Sequence, residues 1–369
     1  MNVPEPFELH VSDAVLDDLH DRLRRTRLLD DSPRTPTSGM SAAYLRELVG
    51  SWATWDWRAR EAWLNSHPQF IASIDGAAVH FAHLRSAQPD APALLVMHGW
   101  PHTFALQLDF ADRLHDFDVV VASLPGFAFS SPYADGPLSE ARLAATMHTL
   151  MTEVLGYERY ITYGEDVSAN VSDLIAANHP GQVAGIVATH AHFPSSDERT
   201  ALTDPDEQEF FASLAEREWP EGGYAHVQAT RPDVLAAALN DSPAGLVAWI
   251  AEKYVGWSDT PRGDPRVVER RISRERILTE AMIYWVTQSV ATSFRPYFEG
   301  QSDGPIPPTS VPAAVFIQRH EAGYPESLAR RHYLDLREFD RLESGGHFAA
   351  AEVPDDLAAR VRAFVAGLV

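Results

Sequence analysis

The chain has 369 residues, no cysteine, and 52 acidic against 30 basic side chains, a formal net charge of −22. Without cysteine it forms no disulfide and offers no thiolate to a metal or a substrate. So acidic a surface repels phosphate backbones and anionic headgroups, so neither nucleic acid nor a charged membrane surface is an expected partner.

No run approaches the roughly 18 consecutive apolar residues of a membrane helix. The start, MNVPEPFELHVSDAVLDDL, lacks the basic residues and apolar stretch of a signal peptide. No membrane anchor and a cytoplasmic location are therefore the default expectations. In chain order, residues 11–28 read as a helix, with Val11, Val15, Leu16, Leu19 and Leu23 on one face and Ser12 as its cap. Residues 31–40 are a Pro/Ser/Thr/Gly loop, and 41–64 read as a second, Trp-rich helix. Short β-rich runs then follow: AVHFAHL from Ala78, ALLVMHG at 93–99, DVVVASL at 118–124, RYITYG at 159–164 and AGIVATH at 184–190. Helical patterns at 139–155 and 168–179 separate several of them, which predicts a parallel sheet covered on both faces. The alternation stops near residue 195. Residues 205–295 read as mostly helix, with turns at Gly222–Gly223 and Ser258–Pro265. After the Pro-rich linker 302–312, strand character returns in 313–318 and 336–342, and an amphipathic helix at 353–366 ends the chain. The expected divisions are an N-terminal region and meander at 1–85, a core at 86–195 and 304–369, and a helical lid at 196–303 inserted over the sheet's carboxyl edge, where open parallel sheets build their sites.

Four short motifs carry chemistry. Gly164-Glu165-Asp166-Val167-Ser168 follows a strand and precedes a helix. Small residues around a central nucleophile permit the sharp turn that exposes that side chain above the sheet, although Asp166 could equally cap the helix. His98-Gly99-Trp100-Pro101 follows the strand ALLVM; the amides of Trp100 and Val167 are then the expected oxyanion donors. Glu321 follows the strand AAVFIQ, and His347 lies in Gly345-Gly346-His347-Phe348 before the last helix. Nucleophile, acid and histidine in that order, on those elements, define the expected fold class: an α/β-hydrolase core with a parallel-rich central sheet, an inserted lid and an N-terminal meander. His190 and His192 in AlaThrHisAlaHis could suggest a metal pair, but without HExxH or clustered acids they read as pocket lining or packing, and no metal is expected.

Over nearly its whole length the chain resembles the epoxide hydrolases of the microsomal type, a family that also includes juvenile-hormone and fungal enzymes. The resemblance is carried by WDWRAREAWLNSHPQF (55–70), HGWP (98–101), SLPGFAFS (123–130), LGYERYITYGEDVSAN (155–170), GYAHVQATRPDVLAAALNDSPAGLVAWIAEKY (223–254), IYWVTQSVATSFRPYFE (283–299) and GGHFAA (345–350). It implies Asp166 as nucleophile, His347 as base, Glu321 as charge-relay acid, and Tyr224 and Tyr297 as paired lid phenols. Four residues depart from the family pattern: Glu165 and His102 stand where Gly is usual, Val167 where Trp is usual, and Ala128 where Gly is common.

An ionised carboxylate can open an epoxide by backside attack, leaving an ester on Asp166 and an alkoxide that the two phenols protonate. His347, held by Glu321, then activates a water against the ester, and the oxyanion rests on the amides of Trp100 and Val167. The expected reaction converts a hydrophobic epoxide and water to a vicinal diol with no cofactor. A haloalkane dehalogenase shares the Asp ester and activated water, and a non-catalytic hydrolase-fold binding protein shares the architecture; both stay open at this point. A homodimer is compatible with the sequence and not specified by it.

Overall fold

The computed structural model describes residues 3–31, 39–300 and 304–368. Residues 32–38 of the expected loop and 301–303 at the expected lid boundary and linker lie outside that set.

One nine-stranded sheet organises the described chain. The strands are β1 (Glu5–Phe7), β2 (Gln69–Ile74), β3 (Ala77–Leu84), β4 (Ala93–Met97), β5 (Asp118–Ala122), β6 (Tyr160–Gly164), β7 (Val183–Ala188), β8 (Thr309–Ile317) and β9 (Tyr333–Arg341). Their spatial order is β1-β2-β3-β5-β4-β6-β7-β8-β9. The first four in that order pair antiparallel, and from β5 onward every pairing is parallel. All five residues of β4, β5 and β6 are buried. That is why they read as continuous apolar runs: each strand has helices on both faces.

β1 and β2 were not foreseen, because the strand reading began at Ala78. They extend the sheet through the hairpin of β2 and β3, in the register Ile71 to His80. The expected helix over 41–64 is two helices, Ala42–Trp52 and Trp57–Asn65. The break occurs because Asp56 caps the second one, its side chain accepting from Ala59 N–H. The first helix spans Asp13–Arg24 rather than 11–28, Ser12 makes no side-chain cap bond, and Val15 is exposed while Leu19 and Leu23 are buried.

The lid comprises helices Ser196–Thr200, Pro205–Glu221, Gly223–Thr230, Pro232–Asp241, Pro243–Trp257, Arg274–Thr287, Val290–Ser293 and Arg295–Glu299. Among the described residues no single helix is long and apolar enough to cross a membrane; one consecutive pair passes on length and composition together but bends by 118°. Helix Pro354–Ala366 closes the chain and buries Leu357, Val361 and Phe364.

Candidate active site

The turn from β6 into helix Val167–Asn178 places Asp166 at φ 56°, ψ −127°, a conformation costly for a non-glycine residue. Its neighbours make room. A Cβ on Gly164 would stand 2.0 Å from Ser168 O, and one on Gly99 would stand 2.4 Å from Asp166 Cβ. The strand-to-helix turn and the loop after β4 therefore approach more closely than any side chain permits.

That approach brings two backbone donors to one carboxylate. Trp100 N–H donates to Asp166 Oδ1 at 3.1 Å, and the Val167 amide favours the charged form of the same carboxylate. The second oxygen, Oδ2, lies 3.4 Å from His347 Nε2. Burial pushes the Asp166 pKa up, but the His347 contact, its charge and the Val167 amide outweigh it and bring the value down to about 2. The carboxylate is thus ionised at neutral pH.

His347 sits in the turn between β9 and helix Ala349–Glu352, fixed by its own N–H donating to Trp257 O at 3.0 Å. Its Nε2 is buried and faces the Asp166 carboxylate. Its Nδ1 meets His190 Nε2 at 3.2 Å. His190 is buried, and burial lowers its pKa to about 3, so it faces His347 as a neutral imidazole. The sequence marks His190 only as pocket lining or packing and does not single out this contact. The available signal was its place just beyond the carboxyl end of β7, on the edge where Asp166 also emerges. Glu321 stands half-buried in the turn Arg319–Glu321 after β8, next to His320, whose ring centroid is 6.1 Å from that of His347.

His192 points elsewhere. With Asp173 and His332 it forms a buried cluster in which each imidazole lies 3.5 Å from Asp173 Oδ2. The two rings stack at 3.8 Å and 12°. Lone pairs in two parallel ring planes do not converge on one ion, so the cluster is a poor metal cradle.

Tyr224 and Tyr297 face the same space from lid helices Gly223–Thr230 and Arg295–Glu299. Their rings are 6.0 Å apart at 80°, and their hydroxyls are hydrogen-bonded to each other. Burial, and then the charge of Asp166, raise the pKa of both, so both are protonated donors. The Trp100 indole stacks on Tyr224 at 5.2 Å and 7°, and meets Tyr297 edge-on at 6.2 Å. Phe294 and Trp257 complete an aromatic wall around Trp100. Lys253, the one lysine in the sequence, lies with Nζ 4.5 Å from the Tyr224 ring centroid.

A parallel-rich sheet in this order, with a strained strand-to-helix turn at its carboxyl edge and a helical lid above it, defines an α/β-hydrolase. A family model described as "alpha/beta hydrolase fold" matches residues 92–222, and one described as "Epoxide hydrolase N terminus" matches residues 4–106. Epoxide hydrolase 1 of Oryctolagus cuniculus is 31% identical over 99% of this chain and 89% of the relative. The crystal structure of juvenile hormone epoxide hydrolase from the silkworm Bombyx mori superposes with a TM-score of 0.88 at 27% identity, covering 100% of this chain and 95% of that one. The Aspergillus niger epoxide hydrolase structure gives 0.84 at 28% identity, covering 99% and 97%. The chain belongs to the epoxide hydrolases, of the microsomal and juvenile-hormone type.

Proposed function

We propose that this epoxide hydrolase opens a hydrophobic epoxide through a covalent ester on Asp166. An Asp166 oxygen attacks an oxirane carbon as the carbon–oxygen bond breaks, and a lid phenol, Tyr224 or Tyr297, protonates the departing oxygen. A water then attacks the ester carbonyl carbon and gives its proton to His347 Nε2. The tetrahedral oxyanion is held by the amides of Trp100 and Val167, the first of which already bonds the carboxylate in the resting state. Collapse expels the diol oxygen, which takes the proton from His347; the proton left on the Asp166 carboxyl returns to the lid phenolate, and the Asp166 carboxylate is regenerated with one oxygen from water. Glu321 is the carboxylate assigned to balance the imidazolium, with His190 orienting the ring through Nδ1.

The observation that carries this reading is the double contact of one ionised carboxylate: Oδ1 on Trp100 N at 3.1 Å and Oδ2 by His347 Nε2 at 3.4 Å. The aromatic wall of Trp100, Trp257 and Phe294 supports an aryl or alkyl oxide as substrate. The test is intact-protein mass spectrometry of the His347→Gln variant mixed with an aryl epoxide. A protein carrying the mass of one epoxide is expected, and Asp166→Ala should show neither adduct nor turnover. A folded His347→Gln protein that binds the epoxide and stays unmodified would sink the two-step scheme.

A further inference from the structure

Two of the four residues that depart from the family pattern meet in the interior. Glu165 and His102 are both fully buried, with Glu165 Oε2 3.1 Å from His102 Nε2. The same His102 nitrogen lies 3.3 Å from Gly99 N. It can donate to the carboxylate or accept from the amide, not both, and the charged acceptor makes the stronger bond. The other oxygen, Oε1, accepts from the Tyr163 hydroxyl at 2.6 Å and from Ala350 N–H at 2.9 Å. One carboxylate therefore holds β6 through Tyr163, the oxyanion loop through His102, and the turn of the catalytic histidine through Ala350, while its own backbone adjoins Asp166.

A polar chain leads onward from it. The Tyr163 hydroxyl is 3.1 Å from Thr189 Oγ1, which is 3.5 Å from His190 Nδ1, and His190 Nε2 reaches His347 Nδ1. Burial pushes the Glu165 pKa up, but the His102 contact and the Ala350 amide bring it down to about 2, so the charge is present at neutral pH.

We propose that Glu165, partnered by His102, is a positioning residue for the ester-hydrolysis half-reaction: it clamps the oxyanion loop and the His347 turn against the nucleophile turn, and it holds negative charge behind His190 as the His347 imidazolium forms. The proposal rests on the covalent-ester reading above. Glu165 is too buried to touch substrate. Alkylation uses Asp166 and the two phenols, whereas hydrolysis needs His347 and the oxyanion donors, so loss of the clamp falls on the second step.

The experiment is a single-turnover reaction with styrene oxide, quenched and read by intact mass, on wild type, Glu165→Gln, His102→Gln and Asp166→Ala. In both clamp variants ester hydrolysis should slow on the order of 10–100-fold while ester formation holds. In the steady state kcat should fall with kcat/KM unchanged, because kcat/KM reports only the steps through alkylation. A general loss of folded enzyme would instead lower both and accumulate no ester; if Glu165→Gln does not fold, His102→Gln carries the same readout. Equal slowing of both steps in a folded variant, or an ester lifetime like that of wild type, overturns the clamp while leaving the ester reading intact. Turnover or adduct in Asp166→Ala overturns the ester reading and the clamp with it.

Discussion

Two buried glutamates touch adjacent residues of the loop after β4 and carry their charge in opposite ways. Glu165, against His102, accepts from the Tyr163 hydroxyl and the Ala350 amide as well. Glu280, on lid helix Arg274–Thr287, accepts from Thr103 N–H at 2.6 Å, and its Oε1 is buried with no hydrogen-bond partner. Burial raises both. At Glu165 the donors win and the pKa falls to about 2; at Glu280 burial wins over Thr103 and the pKa stands at about 7. Exclusion from water is equal at the two sites, so the number and charge of the donors decide which glutamate stays ionised.

The largest effect that would break this comparison comes from removing a donor. His102→Leu leaves Glu165 buried and short of its imidazole partner, and should cost about 3 kcal/mol in urea-unfolding stability. A loss below about 1 kcal/mol would mean that Tyr163, Ala350 and Gln107 satisfy the carboxylate without His102.

A smaller effect separates the two sites by pH. The folded pKa of Glu280 is raised above its ordinary 4.5, so its protonated form favours the folded state. That contribution is fully present below about pH 4.5 and is lost as pH rises through about 7. Wild type should therefore lose about 1–3 kcal/mol between pH 5 and pH 8 that Glu280→Gln does not lose. Glu165 has the reverse sign: its depressed pKa contributes stability above pH 4.5 that disappears as pH falls toward about 2. Parallel stability profiles for wild type and Glu280→Gln from pH 5 to pH 8 would remove the contrast.

The smallest effect sharpens the comparison from outside. Glu47 pairs with Arg266 and Arg274 in contact with water, where solvent screens the charges. Glu47→Gln should leave the melting temperature unchanged within measurement scatter.

The same contrast between local and distant partners explains what could be read from the sequence. The central strands were legible because ALLVM and DVVVA are buried on both faces and declare it residue by residue. β1 and β2 were not. β1 is three residues with Pro6 at its centre, on the sheet edge where a missing N–H is tolerated. β2 carries Gln69 and Ser73, which weaken its alternation. The break at Asp56 was masked by four tryptophans that fit a helical pattern. Within the site, the strand-turn-helix around Asp166 is a local pattern, and so is the GlyGlyHisPhe turn. His190 has its partner 157 residues away, and no spacing rule reaches that far. Glu165 and His102 were each visible as an oddity, but only the fold shows that one answers the other.

Trp100 faces two ways at once. Its amide serves the core of the enzyme at Asp166, and its indole is the surface on which the lid rests through Tyr224. A lid movement that carries Tyr224 outward must peel that stack apart. Under the proposed mechanism, admission of substrate is thereby tied to the residue whose main chain would hold the oxyanion, and a mutation meant only to widen the entrance at Trp100 would be felt in ester hydrolysis.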